Sequence, residues 1–133
     1  MPIQAFHQLG VRPAIPGSAR LHFYCMSVSH GIHLAMIEIR ELPAFTNWLR
    51  ALADSRARAK IAARIRRLQL GNPGDVEPVG GGVSELRIHY GPGYRVYFVQ
   101  HGQTLIILLC GGHKKTQARD IATAQILAKN LKD

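Results

Sequence analysis

The chain has 133 residues, which is enough for one domain with a single hydrophobic core. Its 17 lysines and arginines against 8 acidic residues give a formal net charge of +9, which is typical of proteins with an anionic partner, although a basic domain can also simply be soluble. The longest apolar run, residues 105–110, has the length of a strand, so the sequence indicates no membrane-spanning helix and we expect a cytoplasmic protein.

Residues 1–35 differ in composition from the rest of the chain. They contain no acidic residue, three prolines and four of the seven histidines, and they show no helical or alternating period. They also lack the continuous apolar stretch of a signal peptide. They could form a disordered arm, an organelle-type leader, or upstream sequence added by an early start codon. We favour the last, because Met36 opens a periodic segment, and we predict one domain over residues 36–133.

The first half of this domain is predicted to be a strand followed by two helices. Residues 36–40 alternate as in a strand, and Pro43 suits the first turn of a helix, where its missing N–H costs nothing. One buried face of that helix is formed by Phe45, Trp48, Leu49 and Leu52. Asp54 or Ser55 can cap a second helix, which the Gly-Asn-Pro sequence at 71–73 stops. Because the join is short, we expect an antiparallel hairpin or a sharp corner.

The second half is predicted to be three strands and a helix. A glycine-rich loop at 80–82 leads into strands at 84–90, 94–99 and 104–110, the last apolar on both faces and therefore central. Thr116 can cap the final helix. The order predicts an α+β fold: a small, mostly antiparallel sheet with an N-terminal helical hairpin on one face and a C-terminal helix.

Strand alternation assigns two faces to this sheet. The simplest register packs the apolar side chains against the helices: Leu86, Ile88, Val96 and Phe98. The opposite face then carries Arg87, His89, Arg95 and Tyr97, with Lys114 and Lys115 just beyond the central strand.

These residue types suit the cleavage of RNA without a metal. When a 2′-hydroxyl attacks the adjacent phosphorus, fixed guanidinium and ammonium groups stabilise the charge that develops. A histidine or tyrosine can transfer the protons, and an aromatic face can hold a single-stranded base. The alternative is a solvated basic sheet face with Tyr97 as edge packing.

The second helix carries one stripe of basic side chains: Arg56, Lys60, Arg64 and Arg67. No acidic residue lies between Asp54 and Asp75 to balance it. The stripe is either a contact to the phosphate backbone or a solvated helix face.

The histidines and cysteines show no ligand-like spacing. No carboxylate falls at ligand spacing among His89, His101 and His113, and Cys25 and Cys110 lie far apart. We therefore predict no metal site, no cofactor and no disulfide framework.

From Met36 onward the chain resembles the HigB-like killer proteins of the RelE/ParE superfamily. The resemblance lies in residues 85–98, in residues 108–117 with the following 118–121, and in the aromatic first helix. It implies a RelE-like fold and the toxin of a type II toxin–antitoxin system, which cleaves mRNA on the ribosome and so inhibits translation. It also implies a HigA-like helix-turn-helix antitoxin, through whose complex alone the toxin reaches operator DNA.

The resemblance also implies site residues. The basic residues of active relatives match Arg87, Arg95 and Lys114, with Tyr97 and His113 as candidate proton carriers. We expect Lys115 and His89 to contact RNA together with the basic stripe. Two positions depart from the pattern: His113 stands where we expect aspartate, and Lys115 where we expect a small hydroxyl residue.

Two other functions are compatible with the same fold. ParE-like members of the superfamily poison DNA gyrase and cleave nothing. A decayed toxin would serve only as an antitoxin-binding co-repressor.

Overall fold

The computed structural model describes residues 12–13 and 36–131 of the chain. The strands of this described part are β1 (Arg12–Pro13), β2 (Glu38–Glu41), β3 (Val76–Gly80), β4 (Val83–Ile88), β5 (Tyr94–His101) and β6 (Leu105–His113). Its α-helices are α1 (Pro43–Ala51), α2 (Ser55–Gln69) and α3 (Gln117–Asn130), and a 3-10 turn (Lys114–Thr116) precedes α3. The predicted α+β class is confirmed, and the arrangement is compatible with a RelE-like fold. Apart from β1, the interpretation of residues 1–35 lies outside the described residues.

The strands form one sheet in the order β1-β2-β6-β5-β4-β3. All neighbours pair antiparallel except β2 and β6, which run parallel. The strand β6 lies inside the sheet and its residues 106–110 are buried, as the apolar run predicts. The two-residue strand β1 pairs with Arg40 and Glu41 at the outer edge of β2.

The helices α1 and α2 cover one face of the sheet. Asp54 caps α2 by accepting hydrogen bonds from the backbone N–H groups of Arg56 (2.9 Å) and Ala57 (3.2 Å). The core on this side includes Phe45, Ile61, Leu86, Ile88, Val96, Phe98, Ile106 and Leu108. The predicted inward face of β4 and β5 is confirmed.

The helix α3 covers the opposite face, which the sequence predicted to be open and basic. Its buried Ala124 and Ala128 pack in one cluster with Tyr97, Val99 and Ile107. The prediction that Tyr97 stands on an open face is therefore wrong. Small side chains on α3 allow the helix to approach the sheet closely, which strand alternation alone cannot reveal.

The strand β3 is absent from the sequence-based prediction, which placed only a loop before β4. Val76 pairs with Leu86 and Pro78 with Ser84, and Gly81 and Gly82 form the connecting turn with φ of +65° and +79°. Because proline cannot donate a ladder hydrogen bond, it is tolerated in a strand at the sheet edge, where β3 lies. The same proline obscures the strand in the sequence.

A bulge in β6 decides which side chains reach which face. Tyr97 opposes Cys110 whereas its neighbour Phe98 opposes Leu108, so one extra residue lies in β6. Beyond it, a side chain on Gly111 would overlap Trp48 of α1, and one on Gly112 would overlap Asp120 of α3.

The alternation continues past the two glycines. His113 has extended backbone angles, φ −141° and ψ 177°. It therefore follows Gly111 onto the Trp48 side, and Lys114 follows Gly112 onto the α3 side.

Candidate functional site

The predicted site residues converge at one end of the sheet, where the β4–β5 turn meets the 3-10 turn. In the outermost row of paired residues, Tyr94 lies between Ile88 and His113. In the next row, Arg95 lies between Arg87 and Gly112. The topology thus brings together side chains from β4, β5 and β6 that are far apart in the sequence.

Arg95 and Lys114 meet around Gly93. Arg95 Nη1 donates a 3.3 Å hydrogen bond to the carbonyl oxygen of Gly93, so the guanidinium leans towards the β4–β5 turn. The Cβ position of Gly93 would lie 3.5 Å from Lys114 Cβ and 3.6 Å from Arg95 Nη1. Lys114 and Lys115 are exposed, whereas Arg95 is only 8% exposed. We call Arg95, Lys114 and Lys115 the cationic corner.

Arg87 is held by three carboxylates. Its Nε donates to Glu85 Oε1 at 3.0 Å, its Nη2 donates to Glu77 Oε2 at 2.8 Å, and its Nη1 lies 4.0 Å from Asp75 Oδ1. The hydrogen bond to Glu85, with the negative charges nearby, raises the pKa of Arg87 above its ordinary value. These contacts fix the guanidinium and neutralise it locally, so Arg87 contributes less positive charge to the surface than the sequence predicts.

Glu85 is the functional-site residue that sequence reasoning missed. Its side chain is fully buried, and its Oε2 accepts hydrogen bonds from Tyr97 (2.9 Å) and from Gln117 of α3 (2.8 Å). Arg95 Nε lies 3.7 Å from the same oxygen. Burial acts to raise the pKa of Glu85, but the bonds from Gln117, Arg87 and Tyr97 and the charge of Arg95 outweigh it and lower the pKa.

This carboxylate also explains how two arginines can oppose each other across β4 and β5. Directly opposed like charges destabilise a strand pair, and Glu85 lies beside both Arg87 and Arg95. The available signal in the sequence was one acidic residue on a strand face that otherwise carries basic and aromatic groups.

Tyr97 does not fit the predicted role of proton carrier or base-stacking surface. Its ring is fully buried, and burial together with the hydrogen bond to Glu85 raises the pKa of its hydroxyl. The hydroxyl lies beneath α3 and already donates its hydrogen bond to the Glu85 carboxylate. Tyr97 is therefore part of the polar interior that joins β4, β5 and α3.

The two predicted site histidines have different surroundings. His89 is exposed, and its Nε2 lies 2.6 Å from Asp75 Oδ2, a contact that lowers the pKa of Asp75. His113 is half-buried on the Trp48 side of β6, and its backbone N–H donates to Thr116 Oγ1 at 3.3 Å. His89 thus shares a sheet face with Arg95, whereas His113 does not.

The basic stripe of α2 is divided by the fold. Arg56, Lys60 and Arg67 are exposed, and Lys60 Nζ lies 5.2 Å from the centre of the Tyr90 ring. Arg64 instead turns inward: its Nη2 donates to the carbonyl oxygen of Pro73 at 2.9 Å, and its Nη1 donates to the carbonyl oxygen of Arg87. Burial and the neighbouring charge of Arg67 lower the pKa of Arg64. Arg64 therefore ties α2 to the end of the sheet, and three exposed cations remain on the stripe.

Comparison with known proteins identifies the family. Residues 47–132, well over half of the chain, match the family described as "Phage derived protein Gp49-like (DUF891)". The chain belongs to this family. An uncharacterized protein of Haemophilus influenzae is 52% identical over 95 residues, which cover 71% of this chain and 96% of that protein. No solved structure matches the chain.

The Gp49-like family is RelE-like and associated with toxin–antitoxin systems. Membership therefore supports a toxin whose partner is an antitoxin. No described helix of this Gp49-like chain is long and apolar enough to cross a membrane. Within the described ranges, no three His, Cys, Asp or Glu residues are grouped so that they could hold a metal ion.

Proposed function

We propose that this Gp49-like chain is a HigB-like toxin of a type II system and that it cleaves mRNA on the ribosome, without a metal, to inhibit translation. The observation that carries the proposal is the convergence of Arg95 and Lys114 around Gly93. Membership of the family supports a toxin, and the cationic corner provides positive groups that can stabilise the charge developed during RNA cleavage.

The cationic corner suits the charge that develops during RNA cleavage. Attack by a 2′-hydroxyl places additional negative charge on the phosphoryl oxygens, and a preoriented guanidinium stabilises it best where water is excluded. Arg95 meets both conditions, because it is largely buried and its Nη1 is fixed by the Gly93 carbonyl. The exposed Lys114 and Lys115 can bind the same phosphate or its neighbours.

Further along the molecule, the exposed cations of α2 can contact the RNA backbone. Arg56, Lys60 and Arg67 stand on the surface of a helix with no acidic residue within it. Contacts of this kind raise affinity without selecting a sequence, and they weaken as salt concentration rises. The same cations offer a surface for a HigA-like helix-turn-helix antitoxin, and we propose that the toxin reaches operator DNA only within that complex.

The surroundings of the two candidate proton carriers favour a different function. Tyr97, which the sequence predicted as a proton carrier, is buried, and His113 faces the other side of β6. A toxin without proton transfer could act as ParE-like proteins do, by poisoning DNA gyrase.

An assay of both activities tests the proposal. The purified chain is added to a translation extract, and primer extension maps breaks in a reporter mRNA; in parallel, gyrase supercoiling is measured. We expect breaks aligned with codons, lost in Lys114→Gln and retained in Arg50→Gln, which removes an exposed charge from α1. Inhibited supercoiling without RNA breaks would establish the gyrase alternative instead.

A further inference from the structure

The proposed reaction needs a group that accepts a proton, and the fold leaves few candidates beside the cationic corner. The histidines in the described part of the chain are His89, His101 and His113. His101 pairs with Leu105 at the far end of β5, about 23 Å from Tyr94 at roughly 3.3 Å per residue. By strand alternation His113 lies on the Trp48 side of β6, away from Arg95 and Lys114.

His89 lies on the same face as Arg87 and Arg95. It follows β4 two residues after Arg87, and both side chains contact Asp75. Arg87 and Arg95 are directly paired across β4 and β5, so His89 is a diagonal neighbour of Arg95, about 7–8 Å away between Cα atoms. Arg95 Nη1 donates to the carbonyl oxygen of Gly93, in the turn that follows His89.

Asp75 fixes the orientation and the tautomer of this imidazole. Its Oδ2 lies 2.6 Å from His89 Nε2, so the carboxylate accepts the Nε2 proton and Nδ1 carries the free lone pair. His89 is 72% exposed, which leaves Nδ1 open to a substrate. The charges that act on Asp75 are those of Arg87 on β4, of His89 itself and of Arg64 on α2. Glu77 on β3 contacts Arg87.

We propose that His89, positioned by Asp75, is the base of the cleavage reaction; this inference rests on the proposed function. His89 Nδ1 takes the proton of the 2′-hydroxyl as the 2′-oxygen bonds to phosphorus and the P–O5′ bond breaks. The 5′-oxygen leaves with the electron pair and takes a proton from water, and the resulting hydroxide takes the proton from His89. The products are a 2′,3′-cyclic phosphate and a 5′-hydroxyl end.

Four variants of the full chain test the inference: His89→Gln, Asp75→Asn, Glu77→Gln and His101→Gln. Glu77 is the matched control for Asp75, because both contact Arg87 but only Asp75 contacts His89. Single-turnover cleavage of a ribosome-bound reporter mRNA is measured against pH, and melting temperatures check the folding of each variant.

We expect His89→Gln to lose about 10²–10⁴-fold in rate, the usual contribution of a general base, and to change the pH dependence of the cleavage rate. Asp75→Asn should fall between that variant and wild type, and the two controls should match wild type. A folded His89→Gln chain with the wild-type rate or pH profile overturns the inference, as does an Asp75→Asn chain no slower than Glu77→Gln. If the wild-type chain cuts no RNA, the proposed function itself is overturned. If wild type and His89→Gln cut RNA equally well, only the role of His89 is overturned.

Discussion

The hydroxyl of Tyr97 donates a 2.9 Å hydrogen bond to the buried carboxylate of Glu85, beneath α3. The same carboxylate oxygen accepts a hydrogen bond from Gln117, so two strands and the first turn of α3 are joined at one point. The start of α3 follows directly after Lys114 and Lys115. The hydrogen bond from Gln117 to Glu85 therefore anchors the segment that directly follows the cationic corner.

Tyr97→Phe separates this structural role from a catalytic one. The variant keeps the ring but removes a buried donor, so we expect the free energy of unfolding to fall by about 1–3 kcal/mol. Cleavage by the folded variant should be unchanged, because the hydroxyl cannot reach a substrate. Denaturant unfolding and cleavage assays on the same preparation measure the two effects. If the variant is as stable as wild type but no longer cleaves RNA, the Tyr97 hydroxyl takes part in catalysis.

Glu85 should make stability depend on pH on the acid side. Its pKa in the folded chain lies below the ordinary value of 4.5, so the ionised carboxylate stabilises the native state above that pH. The contribution is lost as the pH falls through the lower folded pKa. Glu85→Gln should be less stable at neutral pH and lose less stability on acidification, as measured by thermal unfolding from pH 7 to pH 3. Parallel curves for the two proteins would contradict this account.

Arg95 and Arg87 should respond differently to the same substitution. Arg95→Ala removes the guanidinium nearest the proposed phosphate position, so we expect about 10²–10³-fold slower cleavage, the scale of one lost transition-state donor. Lysine at this position should restore part of the rate, since it keeps the charge without the planar fork. Because Arg95 is buried beside Glu85, some stability should be lost as well.

Arg87→Ala provides the comparison. It leaves the buried Glu85 Oε1 without its donor, so stability should fall more than in Arg95→Ala. Single-turnover rates and unfolding curves of both variants compare the loss of cleavage rate with the loss of stability. If Arg87→Ala and Arg95→Ala lose the same rate and the same stability, the two arginines do not differ in role.

Gly111→Ala tests the packing of α1 on β6. A methyl group at this position would overlap the Trp48 ring, and we expect a loss of about 1–3 kcal/mol, the usual effect of overpacking a core. Trp48→Leu removes the obstructing ring, so the double variant should lose less than the sum of the two single changes. Denaturant unfolding of the four proteins measures this coupling. Additive losses would show that Gly111 is not required by Trp48.

A chain of residues 36–133 tests the predicted domain boundary. The two cores draw on described residues from Ile37 onward, and β1 pairs through only two residues, so cooperative unfolding should persist with a small change in melting temperature. The full chain is the control. Loss of the cooperative transition in the truncated chain would make residues 1–35 part of the domain.

The pattern of apolar residues predicts most of the fold. Pro43 opens α1, Asp54 caps α2, and the alternation in β4 and β5 correctly assigns Leu86 and Val96 to the helices. These features depend on neighbours within a few positions in the chain, and their periods of 3.6 and 2 residues are visible in the sequence. The strand β3 was missed because Pro78 interrupts its pattern.

The sequence by itself determined the order of the predicted elements, the inward face of β4 and β5, and the excess of positive charge. Only the tertiary structure decided that α3 covers Tyr97, that Glu85 lies between two arginines, and that Asp75 holds His89. It also decided, through one bulge in β6, that Lys114 shares a face with Arg95 while His113 does not. The physical reason is the separation of the interacting residues along the chain. Periodicity shows which face of a single helix or strand is buried. The partner of a buried charge, in contrast, belongs to a distant segment that comes near only when the sheet and helices pack.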